Sequence, residues 1–291
     1  MASEPGIETL DEAFSQVADA GAAPRPIAQG LEFTEGPAWL DEEQMLLFSD
    51  IPADTIYRWQ AGAGHTVWRR PSRHANGNTL DLEGRLVTCE HGSRTVTRTE
   101  RDGTVVTLAA SYQGKRLNSP NDAVVRSDGS IWFTDPPYGI SAEAQEQPAS
   151  HVFRLDPGAE EPVAVIGDMT RPNGLCFSPD ESLLYVANSD RAAHRIRRFR
   201  VRPDGSVGGG EVFAVIEPGA PDGIRCDAAG RLLSTAGDGV HVFDPQGRLL
   251  GKVRTPQTAA NCTFGGPGGT TLFITATTTV WAVELRVRGA R

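Results

Sequence analysis

Beyond a Pro24-Arg25-Pro26 break, the chain keeps one texture to its end. Short apolar runs alternate with Asp-Gly, Glu-Gly and Pro-Asp turns, and no stretch sustains a helical period. The clearest unit runs from Arg116 to Ile140, RLNSPNDAVVRSDGSIWFTDPPYGI. An Asn121-Asp122 pair leads an apolar run, an Asp128-Gly129 turn reverses it, and Ile131-Trp132-Phe133 returns to Asp135 and a Pro-Pro-Tyr-Gly turn. This pattern predicts a β-hairpin with a polar head. Ahead of the break, Ile7 to Ala18 predicts one short peripheral helix with Thr9 or Asp11 near its start. Residues 1–24 are expected to be an N-terminal extension of a domain spanning 25–291.

The hairpin recurs. Aligning the polar residue at each head gives Glu35 (EGPAW), Asn76 (NGNTL), Asn121 (NDAVV), Asn173 (NGLCF), Asp222 (DGIRC) and Asn261 (NCTFG), spaced 41, 45, 52, 49 and 39 residues apart. Eleven residues beyond each anchor stands an apolar residue: Leu46, Val87, Trp132, Leu184, Leu233 and Leu272. Eight residues beyond, Gly84, Gly129, Gly230 and Gly269 provide a permissive turn backbone, whereas Glu43 and Glu181 sit there in DEE and PDES turns. Six strand-rich copies at this period predict an all-β, six-bladed β-propeller with a short N-terminal helical extension. The anchors, opening the innermost strands, should ring one mouth of the central channel. Ile27–Phe33, which has no hairpin of its own, should pair with the last blade and close the ring. The competing architecture is two all-β domains split near Gly208-Gly209-Gly210.

Composition narrows the partners. A net charge of −9 argues against nucleic acid and anionic membranes, which need a cationic face. No apolar run approaches the ~20 residues of a membrane span. The acidic N-terminus lacks the basic and apolar regions of a secretory signal, so the chain is expected to be cytoplasmic. Cys89, Cys176, Cys226 and Cys262 have no metal or redox spacing and read as reduced, buried fillers.

Each anchor carries a side-chain oxygen: two carboxylates and four carboxamides. Hard oxygen donors on one ring suit Ca²⁺, Mg²⁺ or Mn²⁺. The bland alternative is that Asn and Asp favour strand heads through local hydrogen bonds. Charge separates the two, because facing carboxylates without a cation repel. No GxSxG or phosphate-binding glycine pattern is present. His74 and Tyr138 are candidates for the pocket wall, His91 reads as structural, and Glu90 and Asp135, at matching offsets, need partners that the sequence does not identify.

EGPAW at Glu35, RLNSPND with SDGSIWFTDPPYG, RPNGLCFSPDESLLYVAN, PDGIRCDAAGRL and NCTFGG together resemble the family of gluconolactonase, senescence marker protein (regucalcin) and luciferin-regenerating enzyme. The resemblance covers roughly residues 30–285 and is nearest the bacterial gluconolactonase branch. It implies a lactone hydrolase with a divalent metal, calcium first and Mg²⁺, Mn²⁺ or Zn²⁺ as alternatives. The implied ligands are Glu35, Asn173 and Asp222, with Asn121 a fourth ligand or a substrate contact, and Asp222 is the implied general base. Asn76 and Asn261 are not ligands in the family. Animal members carry an Arg two residues before the Asn of the Asn-Asp pair; here that position is Ser119, and the nearest Arg is Arg116. Candidate substrate contacts are therefore Asn118, Asn121, His74, Arg116 and Tyr138. The expected partner is a small-molecule lactone, most simply glucono-1,5-lactone. A phosphotriesterase using the same site and a noncatalytic calcium-binding propeller are the alternatives, and the oligomeric state stays open.

Overall fold

The computed structural model describes residues 4–290. Among the described residues six antiparallel sheets of four or five strands follow one another as blades, each led by an anchor, with a two-stranded ribbon, Ser111–Tyr112 against Lys115–Arg116, between blades two and three. Their innermost strands are Thr34–Leu40, Ala75–Leu80, Ala123–Val125, Pro172–Phe177, Ile224–Cys226 and Asn261–Gly265, for blades one to six. Gly208-Gly209-Gly210 lies inside the outermost strand of blade four, Val207–Val215, so the two-domain reading does not hold. The ring closes through Arg25–Gln29, which pairs with Thr279–Glu284 as the fourth strand of blade six. This is the closure expected of the segment beginning at Ile27, shifted two residues toward the N-terminus.

The repeat has a packing cause. All six residues eleven places beyond the anchors are fully buried, and each is the second residue of its blade's second strand. There the side chain enters the apolar layer between neighbouring sheets, as Trp132 does when its ring meets Phe177 of blade four edge-on at 5.3 Å. Such burial contributes roughly 1.5–3 kcal/mol per large side chain. The turns before these strands need a left-handed residue: Gly84, Gly129, Gly230 and Gly269 have φ of 75°, 83°, 80° and 68°, and Glu181 takes 56°. In blade one the role moves one place, to Gln44 at 48°.

The N-terminal helix expectation is corrected. Gly6–Thr9 is a strand that pairs with Leu249–Arg254 as a fifth strand of blade five. Only Glu12–Gln16 is helical, as one 3₁₀ turn capped by Asp11, whose carboxylate accepts from Ala13 N at 2.9 Å. An open sheet edge offered Ile7 and its neighbours a full ladder, which outweighs the weak propensity of so short a helix. The segment is also not peripheral. Phe14 and Val17 are fully buried among Leu233, Val240, Leu272 and Ile274 of blades five and six. Salt bridges Glu8–Arg254 and Asp11–Arg248, both 2.7 Å, fasten its exposed side.

The four cysteines are buried thiols in this packing. Among the described residues no helix is long and apolar enough to cross a membrane.

Candidate active site

Innermost strands can converge on a channel only if their backbones approach closely, and the residue after the anchor makes that possible. It is Gly36, Gly77, Gly174 and Gly223 in blades one, two, four and five. A Cβ on Gly36, Gly174 or Gly223 would lie 2.0 Å from Asn76 O, 2.3 Å from Asp222 O and 2.1 Å from Asn261 Oδ1, all on the next blade. Each anchor side chain is thereby pressed toward its neighbour.

On one side of the ring the anchors are neutral and joined. Asn76 Nδ2 donates to Asn121 Oδ1 at 2.7 Å, Asn121 Nδ2 to Asn173 Oδ1 at 2.5 Å, and Asn173 Nδ2 to Ser189 Oγ at 2.9 Å. Ser189 Oγ in turn donates to the Pro221 carbonyl at 2.5 Å. Buried His91 lies 3.2 Å from Asn76 through Nε2, and burial lowers its pKa to about 4, so the imidazole is neutral at ordinary pH. Asn76 Oδ1 is buried without a hydrogen-bond partner.

The other side is acidic. Glu35 is 3% exposed, and its Oε2 accepts from Gly36 N at 2.6 Å and Asn261 Nδ2 at 3.0 Å. Burial and the nearby Asp122 charge raise it to about 7. Asp222 is pushed well above the carboxylate range by burial, then by Glu35 and Asp122. Asp122 belongs to blade three but reaches across the channel, its Oδ2 lying 3.4 Å from Asn261 Nδ2 of blade six and 3.7 Å from Arg225 Nη1 of blade five. Burial raises Asp122 as well, against the pull of Arg225. The Tyr138 phenol, raised to about 12 by burial and by Asp222, interacts with Ser189 and Asn173, and the Arg171 guanidinium stacks over its ring at 5.2 Å.

A family model described as the SMP-30/Gluconolactonase/LRE-like region matches residues 33–278. The chain belongs to this family. It is 34% identical to the gluconolactonase of Zymomonas mobilis over 90% of this chain and 81% of that protein. A solved structure of a gluconolactonase from Xanthomonas campestris superposes with a TM-score of 0.91 at 37% identity, covering 97% of this chain and 96% of the other. A luciferin-regenerating enzyme shares the fold at a TM-score of 0.80 and 19% identity, covering 93% of this chain and 99% of that one.

For this member of the gluconolactonase family, the geometry sorts the candidates named from the sequence. Glu35, Asn121, Asn173 and Asp222 meet on the ring, and Tyr138 stands beside Asp222. His74 is exposed, with Nδ1 2.9 Å from the Ile51 carbonyl. Arg116 is exposed and donates to Ser93 O at 3.0 Å, off the ring. Asn118 is fully buried beneath it, its amide donating to Asp135 O at 2.9 Å and Ala149 O at 3.1 Å. These three hold loops in place in this structure. The unassigned carboxylates now have partners. Asp135 accepts from Asn118 N and Ser119 N at 2.7 and 2.8 Å, and Glu90 from Ser93 and Thr97 hydroxyls at 2.7 and 2.9 Å, with Arg69 and Arg73 nearby. Sequence reasoning missed Asp122, Arg225 and Arg171, and gave His91 no connection to the ring.

Whether the site fits a metal ion rests on its donors. Among the described residues no three His, Cys, Asp or Glu side chains form a group able to hold an ion alone. An ion here would need the amide oxygens of Asn121 and Asn173 beside Glu35 and Asp222. That set is all oxygen and carries buried, mutually repelling carboxylates. It fits a hard divalent cation and not the His and Cys ligands that zinc prefers.

Elsewhere, a cavity of about 730 Å³ opens at the far ends of the innermost strands, among Trp39, Leu80, Val125, Arg225 and Phe264. It is the opposite mouth of the channel, away from the anchor ring.

Proposed function

We propose that the protein is a lactone hydrolase that opens a sugar lactone, with glucono-1,5-lactone as the simplest substrate, at the anchor ring. The observation that carries this reading is the placement of Asp222, a carboxylate with raised proton affinity, between a second carboxylate and a row of fixed amides at one channel mouth. Family membership supports hydrolysis of a lactone ester.

Glu35, Asn121, Asn173 and Asp222 are the residues proposed to hold a divalent ion, calcium first. When bound, such an ion supplies Lewis-acid stabilisation of negative charge on the lactone carbonyl oxygen. Asp222 takes a proton from water as the water oxygen attacks the carbonyl carbon. The tetrahedral adduct then breaks its ring C–O bond, the leaving alkoxide recovers the proton from Asp222, and a hydroxy acid departs. The environment suits that role. Burial and the neighbouring carboxylates raise its proton affinity, a bound cation would oppose that shift, and the activated ester of a lactone needs only a modest base. The chain through Asn76, Asn121, Asn173 and Ser189 fixes the amides before substrate arrives, which lowers the ordering cost on binding. Tyr138 offers a neutral phenol to a substrate hydroxyl, with Arg171 holding its ring.

The test is proton release from glucono-1,5-lactone by purified wild-type protein and by Asp222→Ala. Loss of turnover in the variant, with its fold intact by circular dichroism, is the expected result. An equally fast Asp222→Ala protein, or a wild type that cleaves only phosphotriesters, would overturn it.

A further inference from the structure

The repeat is broken twice by charge, and the two breaks meet. At the position after the anchor, five blades carry Gly36, Gly77, Gly174, Gly223 and Cys262, and blade three carries Asp122. Three residues after the anchor, five blades carry Ala38, Thr79, Val124, Cys176 and Phe264, and blade five carries Arg225. Neither residue is a proposed ligand. Asp122 is 1% exposed, and its carboxylate crosses the channel to lie 3.7 Å from Arg225 Nη1. The same Nη1 donates to the Ile224 carbonyl at 2.7 Å, which fixes the guanidinium. Arg225 also interacts electrostatically with Glu35 and borders the far-side cavity. Among the described residues it is the cation paired with a channel carboxylate, since His91 is neutral and Arg171 stands over Tyr138 at the mouth. Fully ionised, Glu35, Asp122 and Asp222 carry three negative charges and Arg225 one positive. The remainder is two negative charges, the complement of one divalent ion.

We infer that Arg225 is a positioning residue, a built-in counter-ion that holds Asp122 across the channel and leaves the anchor ring a charge that one divalent cation neutralises. A covalently attached cation cannot be lost by dilution, so the lower carboxylate stays paired while the upper site exchanges its ion. Removing Arg225 leaves the buried Asp122 carboxylate with its hydrogen bonds from Ala123 N and Asn261 but without its charged partner, which is strongly destabilising, and adds one net negative charge to the acidic cluster. This inference rests on the metal reading above for its second half and stands apart from it for the first.

The experiment uses the full chain as wild type, Arg225→Met, Arg225→Lys and the double variant Asp122→Asn/Arg225→Met. Melting temperature is read in EDTA and in calcium, and calcium binding by isothermal titration calorimetry. In EDTA, Arg225→Met should melt about 5 °C or more below wild type, Arg225→Lys should fall between them, and the double variant should recover most of the loss. In calcium, Arg225→Met should bind about tenfold more tightly or take up more than one ion, and the double variant should return to one. If Arg225→Met matches wild type in both measurements, or if the double variant is no better than the single, Arg225 acts by packing and the inference is overturned. If wild type binds no divalent ion, the metal reading fails, and the EDTA comparison still decides the counter-ion role.

Discussion

The two arcs of the anchor ring occupy equivalent places in the same repeat, yet one is neutral and the other acidic. Across blades two, three and four, Asn76, Asn121 and Asn173 satisfy one another in a row of amide hydrogen bonds that ends on Ser189. Across blades five, six and one, Asp222 and Glu35 flank Asn261; burial and the Asp122 charge push Glu35 up, and burial with the Glu35 and Asp122 charges pushes Asp222 up. The amide arc is stable as it stands and supplies position. The acidic arc is unfavourable when ionised without a cation, and that unmet charge is what chemistry can use. Two of six equivalent strand heads thus carry carboxylate where four carry carboxamide, and that substitution sets the charge of one arc apart from the other.

The largest effect expected to break this comparison is at Asp222. Asp222→Ala should lower kcat on glucono-1,5-lactone by roughly 10²–10⁴-fold, the usual contribution of a positioned base, measured by proton release. Asn76→Ala on the opposite arc should leave kcat within about tenfold.

Next in size is a pair of pH effects of opposite sign. His91 is depressed from 6.5 to about 4, so the folded state binds fewer protons there than the unfolded state. The resulting stability is present above pH 6.5 and is lost as pH falls toward 4, on the order of 3 kcal/mol for a buried group. Glu35 is raised from 4.5 to about 7, so in EDTA its contribution is present below pH 4.5 and is lost as pH rises through 7. Urea unfolding across pH 4–8 should show His91→Gln removing the acid-side loss and Glu35→Gln removing the alkaline-side loss. Slopes of the same sign in both variants would dissolve the distinction between the arcs.

Asn76→Ala should cost about 1–3 kcal/mol of stability, because its removal takes a donor from Asn121 Oδ1 in the buried chain. The smallest effect sharpens the comparison at the mouth. Tyr138→Phe and Arg171→Ala should each raise KM a few-fold with little change in kcat, because Tyr138 stands near Asp222 without a part in the proton transfer and Arg171 holds its ring. A kcat loss as large as that of Asp222→Ala would make Tyr138 part of the chemistry.

Much of this was legible from the sequence. The anchors and the apolar residue eleven places on located blades, channel and ring, because propeller packing demands the same burial in each copy. The closing strand was visible as a run with no hairpin of its own. The strand at Gly6–Thr9, where the sequence suggests the start of a helix, is hidden because its partner, the edge of blade five, lies some 240 residues away and a four-residue strand has no strong local signature. Asp122 and Arg225 were visible as the charged exceptions in two otherwise uncharged columns of the repeat. The repeat was read for what its copies share, and charge across the channel shows in where one copy departs. Asn118, His74 and Arg116 sit close to the ring in sequence, but loop geometry turns their polar atoms to main-chain carbonyls, which spacing does not reveal.

The central claim is that the acidic arc works through a divalent cation and Asp222 on a lactone. Proton release from glucono-1,5-lactone by wild-type protein, first stripped with chelator and then titrated with calcium, tests it directly. Turnover should be negligible in the stripped protein and should recover to saturation at one ion per chain; full activity after stripping would rule out a metal-dependent reaction.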